Sequence, residues 1–264
     1  MNNQQSIPTS VSIAGSDSGG GAGIQADMLA MATNGVFATS VIAAITAQNP
    51  DEVRAISTVP ADVFQAQLEA VFDYFKPTSA KTGMLFDAQH IEIVANFFKK
   101  NPQVKLVVDP VMISTSGAKL LKDDAIEMLK TKLLPIAEVI TPNLDEAKAL
   151  LDVDKICDME KSAKELSQKF GTSVLLKGGH LNGDEICDVL FTRNGDVFQF
   201  HSTRIKNIDT HGSGCTLSAA ISANLAKGMS VETACKNAQT YLINGMKNPV
   251  RIFKKNFINH FPNS

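Results

Sequence analysis

Short apolar runs, rich in β-branched residues, alternate along the chain with stretches in which apolar residues fall at helical spacing. The short runs predict strands and the periodic stretches predict amphipathic helices. Regular alternation of the two predicts a largely parallel sheet. The predicted strands are "SVSIAG" from Ser10, "SVIAAIT" from Ser40, "VKLVVDP" from Val104, "AEVITP" from Ala137 and "TSVLLKGG" from Thr172. The predicted helices cover Ala61–Phe75, Ala88–Lys100, Asp123–Leu134 and Ser162–Phe170.

The near-continuous apolar character of strands such as "LVVD" implies that helices cover both faces of the sheet. The pattern therefore predicts an α/β fold: a three-layer α/β/α sandwich around a mostly parallel central sheet. The sequence "CDVLFTRNGDVFQFHSTRI" (Cys187–Ile205) predicts a late hairpin that turns at Asn194 and Gly195. Without an internal repeat or a linker, we expect one domain over residues 1–264, with residues 1–9 as a flexible tail.

The 264-residue chain is 44% hydrophobic and has a formal net charge of -2, with Lys and Arg spread evenly. This balance gives no general reason to bind nucleic acid or an anionic membrane, so a small-molecule substrate is expected. The start "MNNQQSIPTS" lacks the basic and apolar regions of a signal peptide, which favours a cytoplasmic protein. The four cysteines show no metal-site spacing and are expected to be reduced thiols.

A glycine-rich loop, "GSDSGGGAGIQAD" (Gly15–Asp27), follows the first predicted strand. Its spacing is not that of a dinucleotide-binding loop, and the chain contains no Walker-type phosphate loop. Asp27 is a candidate hydrogen-bond partner for a ligand under the loop, although an exposed helix carboxylate is an equal alternative. Gln48 follows the second strand, where loop amides are common without a ligand.

The segment "DTHGSGCTLSAA" places two glycines and a cysteine at a predicted helix start. The amides of Gly212, Ser213 and Gly214 at such a start can bind a phosphoryl group, assisted by the helix dipole. The same position is expected to lower the pKa of Cys215, which could then act as a base or nucleophile. A buried, inert thiol is the alternative here, and is the preferred interpretation for Cys157 and Cys235.

Further polar residues fall at the ends of the predicted strands. Lys177, in "KGGH", could bind nucleotide phosphates, although a solvated lysine in a turn fits as well. Asp109, Asn143 and Glu146 offer oxygen ligands suited to magnesium, but such residues are more often surface or capping groups. Because ligands of these folds gather at strand carboxyl ends, the shared placement favours a binding role.

Taken together, the chain resembles the hydroxymethylpyrimidine/phosphomethylpyrimidine kinases, the thiamine-pathway branch of the ribokinase-like superfamily. The resemblance extends from about Val11 to Met246. It rests on seven motifs in the family's order: "IAGSDSGGGAGIQAD", "VIAAITAQN", "AKTGML", "VVDPVMISTSG", "ITPNLDEA", "LLKGGH" and "THGSGCTLSAA".

The resemblance implies phosphorylation of 4-amino-5-hydroxymethyl-2-methylpyrimidine and then of its monophosphate, with ATP and Mg²⁺, by a homodimer. It gives Cys215 the role of catalytic base beside the anion hole of Gly212, Ser213 and Gly214. It also implies three further sets: a pyrimidine pocket of Gly15, Ala22, Asp27, Gln48, Met84 and Val111; nucleotide contacts at Lys177, Asn143 and Asp209; and metal ligands at Asp109 and Glu146.

Two features depart from the family and superfamily pattern. The C-terminal segment "MKNPVRIFKKNFINHFPNS" lacks the usual glycine and proline closing segment, so the wall that it forms is not predicted. The separate lid domain of the superfamily is absent, which leaves Gln48–Val59 as the expected partial cover of the site.

Two other functions remain open from the sequence. Pyridoxal kinases belong to the same branch, and some carry a second cysteine after "DPVM", where this chain has Ile113 and Ser114. This difference favours the pyrimidine substrate. A non-catalytic ligand-binding protein on the same fold would be expected to lose Cys215 or its flanking glycines, and this chain retains them.

Overall fold

The structure, a computed structural model, describes residues 7–112, 121–179 and 183–262. The strands are β1 (Thr9–Asp17), β2 (Phe37–Gln48), β3 (Val53–Thr58), β4 (Ser79–Thr82), β5 (Lys105–Val108), β6 (Val139–Ile140), β7 (Ser173–Leu176), β8 (Glu185–Phe191), β9 (Val197–Thr203), β10 (Val250–Ile252) and β11 (Lys255–Phe257). The helices are α1 (Gly23–Thr33), α2 (Ala61–Phe75), α3 (Ala88–Lys100), α4 (Asp123–Met128), α5 (Leu144–Leu151), α6 (Met159–Phe170), α7 (Ser213–Ala226) and α8 (Val231–Lys247).

Nine of these strands form one sheet in the order β3-β2-β1-β4-β5-β6-β7-β8-β9. The six central strands pair in parallel, and they are β2, β1, β4, β5, β6 and β7. Strand β3 at one edge and strands β8 and β9 at the other run antiparallel to their neighbours. The prediction of a mostly parallel sheet is confirmed.

Helices cover both faces of the sheet, as alternate residues of β5 show. Leu106 and Val108 belong to the cluster formed with α2 to α6, whereas Val107 belongs to the cluster formed with α7 and α8. Helix α1 packs against α7 on the second face. The predicted three-layer sandwich is therefore confirmed, and among the described strands only β10 and β11 lie outside the one sheet.

Several element boundaries differ from the prediction. Thr9 begins β1, so the expected tail is too long by one residue at least, and residues 1–6 lie outside the described part. The helix predicted for Asp123–Leu134 ends at Met128 and continues as a π turn over Leu129–Leu133. Pro135, which lacks a backbone N–H, lies in the 3₁₀ turn that follows. Among the described residues, no helix is long and apolar enough to cross a membrane.

The segment predicted as a partial cover, Gln48–Val59, contains strand β3. This strand pairs antiparallel with the second half of β2, so the two form a hairpin at the edge of the sheet. All six residues of β3 are exposed. Its pattern lacks a buried face, which is why hydrophobic periodicity did not identify it.

Candidate active site

The carboxyl ends of the central strands meet at one edge of the sheet because these strands run parallel. This edge carries the candidate residues that follow the strands, and helix α7 begins beside them. Gly15 donates its N–H to the carbonyl of Met84 (3.1 Å), and Val111 donates to that of Asp109 (2.8 Å). The expected convergence of strand-end residues is thus observed.

The turn before α7 depends on its glycines. Gly212 has φ of +80°, and a Cβ at this position would overlap the carbonyl oxygen of Gly21. A Cβ on Gly214 would lie 3.4 Å from both Asp109 Oδ2 and Lys177 Nζ. Helix α7 can therefore begin directly against the first loop only because residue 212 is a glycine, whereas a side chain in place of Gly214 would make ordinary van der Waals contact with the charged strand ends.

Cys215 lies in the first turn of α7, and the backbone N–H of Gly23 donates to its sulfur. Burial raises the pKa of the Cys215 thiol to about 11; the nearby Lys81 ammonium and the Gly23 amide oppose this rise, and the Asp27 and Asp109 carboxylates add to it. The prediction of a lowered pKa is wrong for the ligand-free chain, because desolvation outweighs the opposing effects of the Lys81 ammonium and the Gly23 amide.

All four cysteines are free, as expected. Cys235 is fully buried, and burial raises its thiol pKa, which agrees with an inert role. Cys157 is exposed, so the expectation of a buried thiol is wrong at that position.

Lys177 forms an ion pair with Asp109, with Nζ 3.2 Å from Oδ1. Thr141 donates its hydroxyl to the same oxygen at 3.1 Å. Only 15% of the Lys177 side chain and 3% of the Asp109 side chain are exposed. Burial lowers the pKa of Lys177, but the Asp109 and Glu146 carboxylates raise it by more than burial lowers it. The pKa of Lys177 therefore lies above its usual value, and the ammonium stays charged. The alternative of a solvated lysine in a turn is therefore wrong.

Asn143 and Glu146 cap the start of α5. The Asn143 side chain accepts from the amides of Asp145 and Glu146 at 2.9 Å, and Glu146 Oε2 accepts from the Asn143 amide at 2.8 Å. Burial raises the pKa of Glu146 to about 7 against the opposing effect of Lys177, while the Asp109 carboxylate adds to the rise. The capping alternative is thus correct for both residues, whereas their nucleotide and metal roles stay predictions.

Asp27 forms a buried ion pair with Lys81. Nζ of Lys81 lies 2.9 Å from Oδ1 and 2.8 Å from Oδ2, and the hydroxyl of Ser12 also donates to Oδ2. Neither charged side chain has exposed surface. The alternative of an exposed helix carboxylate is wrong, and a direct contact of Asp27 with a pyrimidine stays a prediction.

Gln48 lies where the β2–β3 hairpin meets the glycine-rich loop. The backbone carbonyl of Gln48 accepts a hydrogen bond from the Ser18 hydroxyl (2.7 Å), and the backbone N–H of Gln48 donates to the oxygen of that hydroxyl (2.8 Å). Asp17, in the same loop, accepts from the amides of Gly19 (2.7 Å) and Ala22 (2.8 Å). These bonds hold Ala22 and Gln48, two predicted pocket residues, against one loop.

The segment before α7 is tied to two other parts of the chain. His211 Nε2 lies 3.1 Å from Asp17 Oδ2, and Asp209 Oδ1 accepts from the amide of His211 at 3.0 Å. The amide of Asp209 donates to the carbonyl of Asn256 in the β10–β11 hairpin (2.8 Å). Lys255, in the same hairpin, lies 3.6 Å from Asp209 Oδ2 and 3.0 Å from Asp51 Oδ1. The divergent C-terminal segment therefore packs beside the anion hole.

The sequence reasoning did not single out Lys81, Asp17 or His211, although all three lie inside the quoted motifs. It also missed Asp188, whose Oδ1 accepts from the amide of Gly178 at 2.8 Å and so holds the turn after Lys177. His180, Ile113 and Ser114 lie outside the described residues.

Comparisons with known proteins identify related kinases. The family model described as phosphomethylpyrimidine kinase matches residues 17–260. The hydroxymethylpyrimidine/phosphomethylpyrimidine kinase of Haemophilus influenzae is 45% identical over 257 residues, covering 96% of this chain and 94% of that protein.

Two solved structures have the same fold. The phosphomethylpyrimidine kinase of Clostridium difficile 630 superimposes with a TM-score of 0.80 at 39% identity, covering 90% of this chain and 98% of that one. An ADP complex of Bacillus subtilis pyridoxal kinase gives a TM-score of 0.89 at 32% identity, covering 97% and 98%. With a family match over nearly its whole length, the chain belongs to the phosphomethylpyrimidine kinase family.

Proposed function

We propose that this chain transfers the γ-phosphoryl group of ATP to the hydroxymethyl group of 4-amino-5-hydroxymethyl-2-methylpyrimidine, and then phosphorylates the resulting monophosphate. The observation that carries the proposal is the start of α7, where Gly212, Gly214 and Cys215 lie against the Asp109–Lys177 pair. The Haemophilus influenzae relative is named for both activities, and the Clostridium difficile structure is named phosphomethylpyrimidine kinase.

Phosphoryl transfer needs positioning and charge stabilisation more than covalent chemistry. The amides from Gly212 to Cys215 would hold the migrating group at the positive end of the α7 dipole. Lys177 would bind a nucleotide phosphate, and its buried ammonium is already oriented by Asp109. Each of these groups acts on charge and needs no covalent intermediate.

Cys215 is proposed as the acceptor of the hydroxyl proton. Its thiol pKa of about 11 leaves it protonated at neutral pH in the ligand-free chain, so the thiolate that accepts a proton is a minor form there. The rate should therefore rise with pH above neutrality, as the thiolate fraction grows. This rise distinguishes Cys215 as the base from Cys215 as a bystander.

The residues present suit a magnesium ion. Asp109 and Glu146 are both buried carboxylates; burial raises the pKa of Glu146 and the Asp109 carboxylate adds to this rise, against the opposing ammonium of Lys177. Oxygen donors of this kind are the ones that Mg²⁺ prefers, with phosphate oxygens and water completing its shell. When bound, the ion neutralises phosphate charge; Asp109 and Glu146 would hold it directly or through water.

The pyrimidine pocket is proposed at Gly15, Ala22, Gln48, Met84 and Val111. A Cβ on Gly15 would come within 2.6 Å of Met84 Cε, so the glycine leaves the methionine side chain its place beside the first strand. Asp27 lies beneath this group with Lys81. A homodimer and a cytoplasmic location are further inferences from the family resemblance.

Pyridoxal phosphorylation is the second candidate, because the ADP complex of Bacillus subtilis pyridoxal kinase superimposes closely on this chain. The test is steady-state ATP turnover with the hydroxymethylpyrimidine, its monophosphate and pyridoxal, each with Mg²⁺. We expect the two pyrimidines to have the higher kcat/KM. A higher kcat/KM for pyridoxal would make pyridoxal phosphorylation the better supported function. No turnover with any of the three compounds would favour the non-catalytic alternative.

The role of Cys215 is tested by its alanine and aspartate variants. We expect Cys215→Ala to lower kcat by roughly 10²- to 10⁴-fold with little change in KM, the usual contribution of a general base. Cys215→Asp should retain more activity, because a carboxylate can accept the same proton. The rise of rate with pH should disappear in Cys215→Ala; if it persists at wild-type turnover, Cys215 is not the base.

A further inference from the structure

Lys81 and Asp27 form an ion pair in which neither side chain has exposed surface, and the proposed roles give Lys81 no function. Both charged groups are fully buried, and both oxygens of Asp27 are used by Lys81. Replacing a buried ion pair by apolar residues is often neutral or stabilising, so fold stability alone is a weak reason for this pair.

The pair lies directly under the proposed site. Lys81 is on β4, and a Cβ on Gly83, next to the pocket residue Met84, would come within 2.9 Å of its Nζ. Asp27 is on α1, whose first residue, Gly23, donates its amide to the sulfur of Cys215. The ammonium therefore sits between the floor of the pocket and the start of α7.

We propose that Lys81 is a positioning residue that acts through Cys215, and that its ammonium, held in place by Asp27, stabilises the thiolate of Cys215. The catalytic consequence rests on the proposed function, since it requires Cys215 to face the reacting hydroxyl. The electrostatic statement does not, because it concerns the ligand-free chain.

The charges around Cys215 come from four elements. Lys81 on β4 is the larger opposing influence: its ammonium lowers the thiol pKa, while Asp27 on α1 and Asp109 after β5 raise it. Lys177 after β7 is the second ammonium that interacts with this thiol. Lys81 and Asp27 thus influence the same sulfur in opposite directions.

Because Lys81 and Asp27 change the Cys215 pKa in opposite directions, removing one charge should slow the alkylation of Cys215 and removing the other should accelerate it. The rate of Cys215 alkylation by iodoacetamide, without nucleotide or substrate, is measured from pH 7.5 to 10 by mass spectrometry of the Cys215 peptide, so that the exposed Cys157 does not interfere. Because each pKa unit changes the thiolate fraction about tenfold, we expect Lys81→Met to slow alkylation about tenfold and Asp27→Asn to accelerate it by a similar factor. The profile of kcat against pH should move to higher pH in Lys81→Met.

A matched control is Ser222→Ala on the same helix. Ser222 is fully buried and shares hydrogen bonds with Ser10 and Ser79, so its loss perturbs α7 packing without removing a charge. We expect its alkylation profile to match that of the wild type. Circular dichroism and thermal unfolding verify that each variant is folded.

Loss of packing would expose the thiol and accelerate alkylation in both single variants, so acceleration in Lys81→Met overturns the proposal, as does an unchanged rate. If a single variant does not fold, the double variant Lys81→Met/Asp27→Asn, which leaves no buried charge at the pair, decides. A slower rate in the double variant supports the proposal because Lys81 is the larger influence, whereas an equal or faster rate overturns it. Failure here leaves the proposed kinase activity intact, because alkylation needs no turnover.

Discussion

At the scale of single residues, Glu146 shows that a site residue can be held at a cost in stability. Its pKa is raised from 4.5 to about 7, so the folded chain binds this proton more tightly than the unfolded chain between those values. The stability that the raised pKa contributes is present below pH 4.5 and is lost as the pH rises through 7. The buried carboxylate therefore destabilises the fold at pH 8.

We expect Glu146→Gln to remove this loss, because glutamine can still accept the Asn143 amide in the capping box. In denaturant unfolding with a metal chelator present, the variant should be more stable than the wild type by roughly 1 to 3 kcal/mol at pH 8. The difference should shrink towards zero at pH 5. A difference independent of pH would mean that the carboxylate is not disfavoured by burial.

Residue types at strand ends were predictable because a parallel sheet brings those ends together. Asp109, Lys177 and the glycines before α7 lie where the motifs predicted. The partner of Asp27 was not predictable, because a lysine in "AKTGML" carries no sign that β4 buries it completely. The direction of the Cys215 pKa also depends on burial and on Asp109, neither of which the helix-start pattern contains.

At the scale of elements, helix α7 offers a matched pair of glycines. Gly212 precedes its first residue with φ of +80°, and Gly228 lies two residues after its last with φ of +81°. A Cβ on Gly228 would meet nothing within 4 Å, whereas one on Gly212 would overlap the carbonyl of Gly21. Substituting either by alanine costs the strain of a left-handed residue, about 1 to 2 kcal/mol.

Only Gly212→Ala should also displace the anion hole. We expect this variant to lower turnover by more than 10²-fold, the effect of losing oriented amide donors, and to lose more stability than Gly228→Ala, which should keep wild-type kinetics. Steady-state kinetics and denaturant unfolding of both variants test this. Equal turnover in the two variants would show that the close contact with Gly21 does not position the hole.

Elements with an apolar run were predictable, and elements without one were not. Five of the six parallel strands and the hairpin at Asn194 and Gly195 follow from apolar runs and a turn signal. Strand β4 was not predicted, although all four of its residues are buried, because only one of them is apolar. Strand β3 is exposed along its length, and β10 and β11 have no fully buried residue, so hydrophobic periodicity had nothing to detect. Their positions depend on pairing with β2 and on contacts such as that between Asn256 and Asp209.

At the scale of the whole molecule, the edge formed by β2, β3 and α2 carries seven exposed large apolar side chains, and a smaller group lies around β10. Strand β3 is the terminal strand on this side of the described sheet. Clusters of this kind mark protein contacts, and an unpaired edge strand is a template for a second strand. The residues of this cluster are Phe37, Ile45, Val53, Ile56, Val63, Tyr74 and Phe75.

The family resemblance implies a homodimer, and we expect the second copy of the chain to cover this cluster. Sedimentation velocity of the wild type at micromolar concentration should then show a dimer. Ile56→Lys places a charge in the centre of β3 and should shift the protein towards monomer. Val153→Lys is the matched control, since Val153 is 43% exposed against 42% for Ile56 but follows α5, which connects β6 and β7, away from the β3 edge of the sheet. A monomeric wild type, or a dimer that Val153→Lys and Ile56→Lys leave equally intact, would contradict this interface. Because the β2–β3 hairpin also carries Gln48, loss of the dimer should raise KM for the pyrimidine more than KM for ATP.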